Sequence, residues 1–387
     1  MIGKIGAILA AAASVAGATL YRSLVQQAYY DSHPSLAHPE LTMSAITYSA
    51  RGDSSILEFR SDHPRPVLRD GQVLVQVKAS ALNPCDFKFR RNWAPGFMRP
   101  LPKIPGEDVA GIVVEVKGSD SRFREGDRVA AMLPLLGSRW GAAAEFVAVD
   151  ENLVAKLGDK TSFEEAAAVP LVALTAIQGL KKLGTDNLMS TSVQKKILIQ
   201  AGAGGVGSFA IQYAKKVLGM SVATTASKGK AKLLKSLGAD IVIDYHSERF
   251  EDVVEDYDAA LDTMSWSYEG RTLGKHSHVL RPNGYYLNVA SSDWSFEGGA
   301  EKANGIITAK NAILHGLSNS IFGVGRLPHY HVITVEPDGE QLQEVLDLLS
   351  KRTIRAIIDR RFPLKEAAAA YNYLEQGHAT GKVILLH

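Results

Sequence analysis

The sequence predicts an α/β protein in which a small β-barrel precedes a doubly wound parallel sheet. At 387 residues the chain is long enough for two domains of ordinary size. Before about Ala166, short alternating runs are separated by frequent glycines, which favours a small barrel. After that point short apolar runs alternate with helical stretches, as in a parallel sheet covered by helices. The predicted parallel strands are 197–200, 221–225, 241–245, 258–262 and 285–290.

The first of these strands is followed at once by a glycine hexad, residues 202–207, and then by apolar residues at helical spacing as far as Gly219. A strand before the glycines and a helix after them form the context of a dinucleotide-binding fingerprint. The glycines permit a tight turn and bring the backbone close to a pyrophosphate, whose charge faces the N–H groups of the helix. The predicted cofactor-binding residues of this loop are Gly202, Gly204, Gly205, Val206 and Gly207.

The end of the second strand indicates which nucleotide is bound. An NAD site needs an Asp or Glu roughly 20 residues beyond the glycines to bind the ribose 2′-OH. The sequence there is ASKGK, residues 226–230, and no acidic residue occurs between Asp186 and Asp240. A hydroxyl and lysines suit a 2′-phosphate, so we predict NADPH as the cofactor, with Ser227 and Lys230 nearest the phosphate.

Composition excludes several classes of function. The hydrophobic content of 46% and the charged content of 22% are typical of a globular protein. A formal charge of +2 and the lack of a basic stripe give no general attraction to nucleic acid. The single cysteine, Cys85, excludes an intrachain disulfide and a cysteine-rich zinc site, which favours a reducing compartment.

The N-terminus carries a hydrophobic segment, Ile5 to Tyr21, of 17 apolar or small residues. A membrane-spanning helix needs about 20 residues, so the segment is marginal for that role. A cleaved secretory signal and a mitochondrial presequence are the alternatives. Small residues four apart suit close packing of membrane helices, and we favour a retained anchor within residues 1–30, followed by a linker at 31–40. These small residues are Gly6, Ala10, Ala13 and Gly17.

Further motifs carry a family resemblance, in this order: ALNPCD at 81–86, IPGEDVAG at 104–111, GDRV at 126–129, FEEAAAVP at 163–170, LTA at 174–176, the glycine hexad, and GHATGKV at 377–383. The chain resembles the medium-chain dehydrogenase/reductase superfamily in its zinc-free quinone oxidoreductase (zeta-crystallin-like) branch. Its C-terminal third is most similar to the reticulon-4-interacting mitochondrial subgroup. The resemblance implies a GroES-like catalytic domain from residues 41–165 and 352–387, split around a Rossmann NADPH domain at 166–351, with residues 1–40 as anchor and linker.

The resemblance also bears on metal binding. In zinc alcohol dehydrogenases of this superfamily a cysteine stands at the position of Asn83 and a histidine at that of Glu107. Without thiolate and imidazole there we predict no metal. His276 and His278 form a His-x-His pair without a thiolate, third histidine or acid nearby in sequence, and we interpret them as ordinary helix residues.

The implied reaction is hydride transfer from NADPH to a quinone or a conjugated carbonyl. By position Asn83 is the polar residue at the nicotinamide edge, and Tyr245 joins the adenosine contacts. Where several quinone oxidoreductases have a tyrosine in the substrate pocket this chain has Lys88, either a group that polarises an oxygen or a solvated lysine. Trp93-Ala94 replaces the tyrosine of mitochondrial enoyl-thioester reductases. The predicted catalytic residues are therefore Asn83 and Lys88, and the proton donor stays open.

Two hypotheses of different class remain. The first is an NADPH-dependent, zinc-independent reductase of quinones or α,β-unsaturated carbonyls, mitochondrial and attached to the inner membrane. The second is an accessory or assembly subunit of a mitochondrial membrane complex that keeps NADPH without turnover. Expected partners are a small quinone or enone and, through residues 1–30, membrane-complex subunits. Outside a complex we expect a homodimer.

Overall fold

The computed structural model describes residues 37–91, 101–135, 138–184, 194–264, 267–274, 277–289 and 328–387. The predicted hydrophobic N-terminal helix lies outside these ranges, as do His276 and Trp93-Ala94. Within the described ranges, no helix combines the length and the apolar character needed to cross a membrane. The described strands form a two-stranded ribbon, a seven-stranded sheet and a six-stranded sheet.

The ribbon pairs β1 (Ala37–Thr47) with β2 (Glu58–Pro66) in antiparallel fashion. It corrects the predicted linker at 31–40, because β1 already begins at Ala37, which pairs with Pro66. The register shifts between His38 and Thr42, and this irregular stretch includes Pro39. A proline is tolerated in a strand at such an irregularity, so a sequence that locally resembles a linker is drawn into the ribbon by its partner strand.

The seven-stranded sheet has the order β14-β15-β3-β4-β5-β7, with β6 also paired to β3. Its last strand is antiparallel to β3, pairing Ile384 with Ala81, so the C-terminal segment returns to this sheet as the resemblance implies. Alternating valines of β3 pack into an apolar cluster inside it. The strands are β3 (Gln72–Ala81), β4 (Asp108–Lys117), β5 (Arg128–Met132), β6 (Phe146–Asp150), β7 (Val154–Lys156), β14 (Ile358–Pro363) and β15 (Lys382–Leu386).

The six-stranded sheet is parallel throughout, in the order β10-β9-β8-β11-β12-β13. Numbered by their order along the chain, these strands follow the sequence 3-2-1-4-5-6, which is the Rossmann order. The chain first adds strands on one side of β8 and then, from β11 onward, on its other side. The five predicted strands are confirmed, although β12 begins five residues before the predicted start. The strands are β8 (Lys196–Ile199), β9 (Ser221–Ala226), β10 (Ile241–Asp244), β11 (Tyr257–Asp262), β12 (Leu280–Asn288) and β13 (His329–Val332).

Helices connect and cover the sheets. A capping box starts the second helix, because the Ser162 side chain accepts from the N–H of Glu165 and the Glu165 carboxylate accepts from the N–H of Ser162. The sequence also predicts a C-terminal helix at 364–376, and the structure confirms it as a short 3₁₀ turn, Leu364–Glu366, followed by α8. The helices are α1 (Pro84–Arg91), α2 (Phe163–Ala167), α3 (Pro170–Lys181), α4 (Gly205–Lys216), α5 (Ala231–Leu237), α6 (Ser267–Leu273), α7 (Gly339–Ser350) and α8 (Ala367–Glu375).

Candidate active site

The glycine hexad forms the turn between β8 and α4, beside the point where the strand order reverses. A Cβ atom on Gly202 would lie 2.1 Å from the Thr224 Oγ1 atom, and one on Gly207 would lie 2.4 Å from the Ala201 carbonyl oxygen. Only glycine fits at either position. Gly204 is the N-cap of α4, and no side chain of the described residues caps this helix. The first-turn N–H groups and the helix dipole therefore suit an anionic pyrophosphate.

The other members of the hexad meet a different part of the chain. A Cβ on Gly205 would lie 2.9 Å from the Val172 Cγ1 atom and 3.1 Å from the Lys382 Cδ atom. Val206 is half-buried against an apolar cluster that contains Val172. The Gly381 N–H donates to the Ala203 carbonyl over 2.8 Å. The start of β15 is thus packed directly against the predicted cofactor loop.

The predicted 2′-phosphate residues gather at the carboxyl ends of β9 and β10. Ser227 follows β9 and precedes a 3₁₀ turn, residues 228–230. The Lys230 ammonium donates to the Thr380 hydroxyl, a partner that sequence reasoning missed. Tyr245 follows β10, is 49% exposed and donates its N–H to the Ala226 carbonyl over 3.3 Å. Ser227, Lys230 and Tyr245 therefore lie at the same end of two neighbouring strands, and their contact with the cofactor stays a prediction.

Asn83 lies in a buried polar cluster. Its Oδ1 atom accepts from the Lys382 ammonium, and its Nδ2 atom donates to the Asp108 Oδ2 atom over 2.9 Å. The Lys382 Nζ atom lies 3.0 Å from that same carboxylate oxygen. The Asp108 Oδ1 atom accepts from the Leu171 N–H over 2.7 Å, which ties the cluster to α3. All three side chains are buried, and we call them the Asn83–Asp108–Lys382 cluster.

Sequence reasoning missed Asp108 and Lys382. Lys382 stands immediately before the apolar run 383–386, where a lysine must be paired if it is buried. Asp108 directly follows Glu107 at the start of a strand with apolar residues. Each of these sequence contexts marks a charged residue beside an apolar strand, but neither shows which residue pairs with it. Burial raises the pKa of Asp108, and the nearby Lys382 ammonium and the Asn83 amide oppose that rise.

A second group of polar side chains adjoins this cluster at α1. The Asp86 Oδ2 atom accepts from the Asn83 N–H over 2.9 Å and from the Tyr371 hydroxyl over 3.1 Å. The Cys85 Sγ atom lies 3.7 Å from Asp86 Oδ1 and 3.9 Å from Glu107 Oε2. Burial, reinforced by the Glu107 charge, raises the pKa of Asp86 well above its ordinary value. Through its two hydrogen bonds Asp86 supports the turn that begins at Asn83.

These residues do not suit zinc. Cys85, Asp86 and Glu107 each offer a ligand atom, and these atoms lie within 4.8 Å of one another. Only one of the three is a thiolate and none is an imidazole, however, and the Asp86 Oδ2 atom already binds two donors. The amide of Asn83 binds an ammonium, and that positive charge would repel a second cation.

Lys88 is half-buried on α1, three residues beyond Cys85 and so on the same side of the helix. Its contact with a substrate oxygen stays a prediction. Cys85 packs against a buried apolar cluster of Met132, Leu171, Val172 and Leu174. Three half-buried residues, Leu135, Val206 and Val335, pack against the same cluster.

Comparison with family models and known proteins agrees with this architecture. Residues 69–159 match the alcohol dehydrogenase GroES-like domain, and residues 237–385 match a domain described as zinc-binding dehydrogenase. The chain is 35% identical to a 2-methylene-furan-3-one reductase of Solanum lycopersicum, covering 93% of this chain and 83% of that protein. It is 34% identical to an NADPH-dependent alkenal/one oxidoreductase, chloroplastic, of Arabidopsis thaliana, covering 89% and 79%.

A mitochondrial relative and two solved structures extend this similarity. The chain is 30% identical to the NAD(P)H oxidoreductase RTN4IP1, mitochondrial, of Danio rerio, covering 92% of this chain and 94% of that protein. A quinone oxidoreductase from Coxiella burnetii superposes with a TM-score of 0.73 at 29% identity, covering 90% of this chain and 100% of that one. A mycobacterial protein complexed with NADPH superposes with a TM-score of 0.68 at 27% identity, covering 89% and 100%. The chain belongs to the medium-chain dehydrogenase/reductase superfamily.

Proposed function

We propose that this protein is an NADPH-dependent, zinc-independent reductase of α,β-unsaturated carbonyls or quinones. The observation that carries the proposal is the contact between two predicted sites. The stem of Lys382 packs against Gly205 of the cofactor loop, while its ammonium binds Asn83. A cofactor seated on the loop would therefore extend toward the one residue that the resemblance places at its nicotinamide edge.

The cofactor is NADPH, which supplies the hydride. The residues present fit it, because no side chain of the described residues caps the N-terminus of α4 and because Ser227 and Lys230 replace the acid of an NAD site. The similar oxidoreductase of Arabidopsis thaliana is described as NADPH-dependent, and the mycobacterial structure contains NADPH. We assign the pyrophosphate to the N-terminus of α4 and the 2′-phosphate to Ser227 and Lys230, beside Tyr245.

In this proposal Asn83 presents an amide N–H to the substrate oxygen on which negative charge develops. Asn83 is buried, and a hydrogen bond made away from water is stronger than one made in water. Lys88 is the candidate for a second contact with the oxygen. The names of the plant relatives, an alkenal/one oxidoreductase and a furanone reductase, support a conjugated carbonyl as the substrate, and the Coxiella burnetii structure supports a quinone.

The location in the cell is part of the proposal. The Danio rerio relative supports a mitochondrial protein, whereas the Arabidopsis thaliana relative is chloroplastic. Attachment to the inner membrane rests on residues 1–30, and the accessory-subunit hypothesis rests on that segment and on the missing pocket tyrosine. The homodimer likewise stays a prediction, and the observations on the described residues favour the reductase.

The test is NADPH oxidation by the pure protein across a panel of quinones and enones, with Asn83→Ala as the matched variant. We expect turnover with at least one class of acceptor. Asn83→Ala should lower kcat about 100-fold, because loss of one donor to a developing oxyanion typically costs 10²–10³. Failure of the wild-type protein to oxidise NADPH with any acceptor, while it still binds NADPH, would refute the reductase and favour the accessory subunit.

A further inference from the structure

Lys382 is a buried lysine held firmly in place. It is 4% exposed, and its backbone N–H donates to the Ile357 carbonyl over 2.8 Å. The preceding Gly381 has φ +77° and would place a Cβ only 2.1 Å from that same carbonyl oxygen, so no side chain fits there. The backbone that carries Lys382 is therefore fixed between β14 and the cofactor loop.

The ammonium of Lys382 determines the orientation of the Asn83 amide. An ammonium is a donor only, so it requires the amide oxygen to face it. The amide nitrogen of Asn83 then faces Asp108, and it donates to the Asp108 Oδ2 atom over 2.9 Å. Both ends of the Asn83 amide are assigned by charged partners of opposite sign. The second hydrogen of Nδ2 consequently points in one fixed direction.

The same contact also changes the strength of Asn83 as a donor. A cation bound to an amide oxygen draws electron density from the nitrogen and makes the N–H a better donor, because hydrogen bonds in a chain polarise one another. In a buried site this polarisation is screened little by water. Through this one contact Lys382 both orients the Asn83 amide and strengthens its N–H as a donor.

We propose that Lys382 is a positioning residue for the proposed reduction: it orients and polarises the Asn83 amide toward the substrate oxygen. The inference rests on the proposed function, since it needs a reaction in which charge develops on that oxygen. It adds to that function a specific source of electrophilic assistance, a lysine 299 residues distant in sequence from the asparagine it acts on.

The kinetic test compares Lys382→Met, Asn83→Ala and the double variant. We expect Lys382→Met to lower kcat roughly 10- to 100-fold while the KM for NADPH changes by less than about threefold, because the lost interaction is made in the transition state. The double variant should be no slower than Asn83→Ala alone, since both changes remove one function. Lys382→Arg, which keeps the charge, should recover part of the loss.

Lys103→Met is the matched control. Lys103 is equally buried at 3% exposed and donates to the Ser138 carbonyl over 2.7 Å, outside the cluster. Its kcat should equal that of the wild-type protein. Because Lys382→Met leaves Asp108 without its cation, a variant that fails to fold would be replaced by Lys382→Met with Asp108→Asn, in which no buried charge is unpaired.

Three results would overturn the proposal: an unchanged kcat in Lys382→Met, kcat losses that multiply in the double variant, or a KM effect alone. A crystal structure of the Lys382→Met protein gives a readout independent of turnover, and we expect the Asn83 amide there to be turned or displaced from Asp108. An Asn83 amide in its original place would contradict the positioning role even if the wild-type protein had no reductase activity. Absence of wild-type turnover would refute the proposed function separately.

Discussion

The cofactor loop and the Asn83–Asp108–Lys382 cluster lie side by side but are built on opposite principles. The loop consists of consecutive residues, and its shape depends on the side chains that Gly202 and Gly207 lack. The cluster consists of charged and amide side chains, and the residues it joins lie as far apart as 299 positions. The structure of the loop depends on the space available around its backbone. The stability of the cluster depends on the pairing of charges that have been removed from water.

This difference predicts how each region fails. The loop should fail by crowding, so the cost of a substitution should follow the distance from the new Cβ to its neighbours. The cluster should fail by leaving a charge or a polar atom buried without a partner. Substitutions that separate these two causes test whether the two regions differ in this way.

The largest effect is expected from Asp108→Ala, which removes the carboxylate that pairs with Lys382 and accepts from the Leu171 N–H. Breaking a buried ion pair by removing one partner costs about 3–5 kcal/mol. We expect the free energy of unfolding, measured by urea denaturation, to fall by about that amount.

Asp62→Ala is the control for this prediction. Asp62 pairs with Arg60 over 2.9 Å, but its side chain is 67% exposed. Water screens such a surface pair, so no measurable change in the denaturation midpoint is expected. An equal loss in both variants would mean that burial does not set the cost of the Asp108 pair.

A smaller effect is expected from Gly207→Ala, whose Cβ would lie 2.4 Å from the Ala201 carbonyl oxygen. Crowding of this kind costs about 1–3 kcal/mol, although alanine in a helix gains about 1 kcal/mol over glycine. We expect a lower melting temperature and at least a tenfold weaker binding of NADPH by calorimetry, because the distorted loop no longer fits the pyrophosphate.

Gly204→Ala is the matched substitution in the same loop. Its Cβ would lie 3.4 Å from the same carbonyl oxygen, and its φ of −75° suits alanine. The melting temperature should therefore change little. A melting temperature lowered as much as that of Gly207→Ala would show that crowding against Ala201 is not the cause.

The smallest effect concerns the choice of cofactor. A charge-assisted contact with phosphate is worth about 1.5–3 kcal/mol, so NADPH should bind roughly tenfold or more tightly than NADH. Lys230→Glu should narrow this gap, whereas Lys232→Glu, on the following helix, should leave it unchanged. Titration calorimetry with both nucleotides measures the two affinities in each protein. Equal affinities in the wild-type protein would refute the assignment of the 2′-phosphate site.

The accuracy of the sequence predictions follows the same division. The Rossmann strands, the glycine hexad and the C-terminal helix were predicted correctly because each has a local pattern of apolar or small residues. The linker at 31–40 was wrong at its end, because pairing with β2 draws Ala37 into a strand. Asp108 and Lys382 were missed for a related reason: their partners are supplied by distant strands and helices.

By itself the sequence determined the two-part α/β architecture, the dinucleotide loop and the lack of an acid that would select NAD. These depend on residue spacing and on side-chain volume within a few positions, and both can be read along the chain. Only the tertiary structure decided that Lys382 faces Asn83 and that Thr380 faces Lys230. The physical reason is that a buried ammonium must bind acceptors, and the fold determines which acceptors lie near it. Local sequence patterns do not show that the start of β15 packs against the starts of α1 and β4.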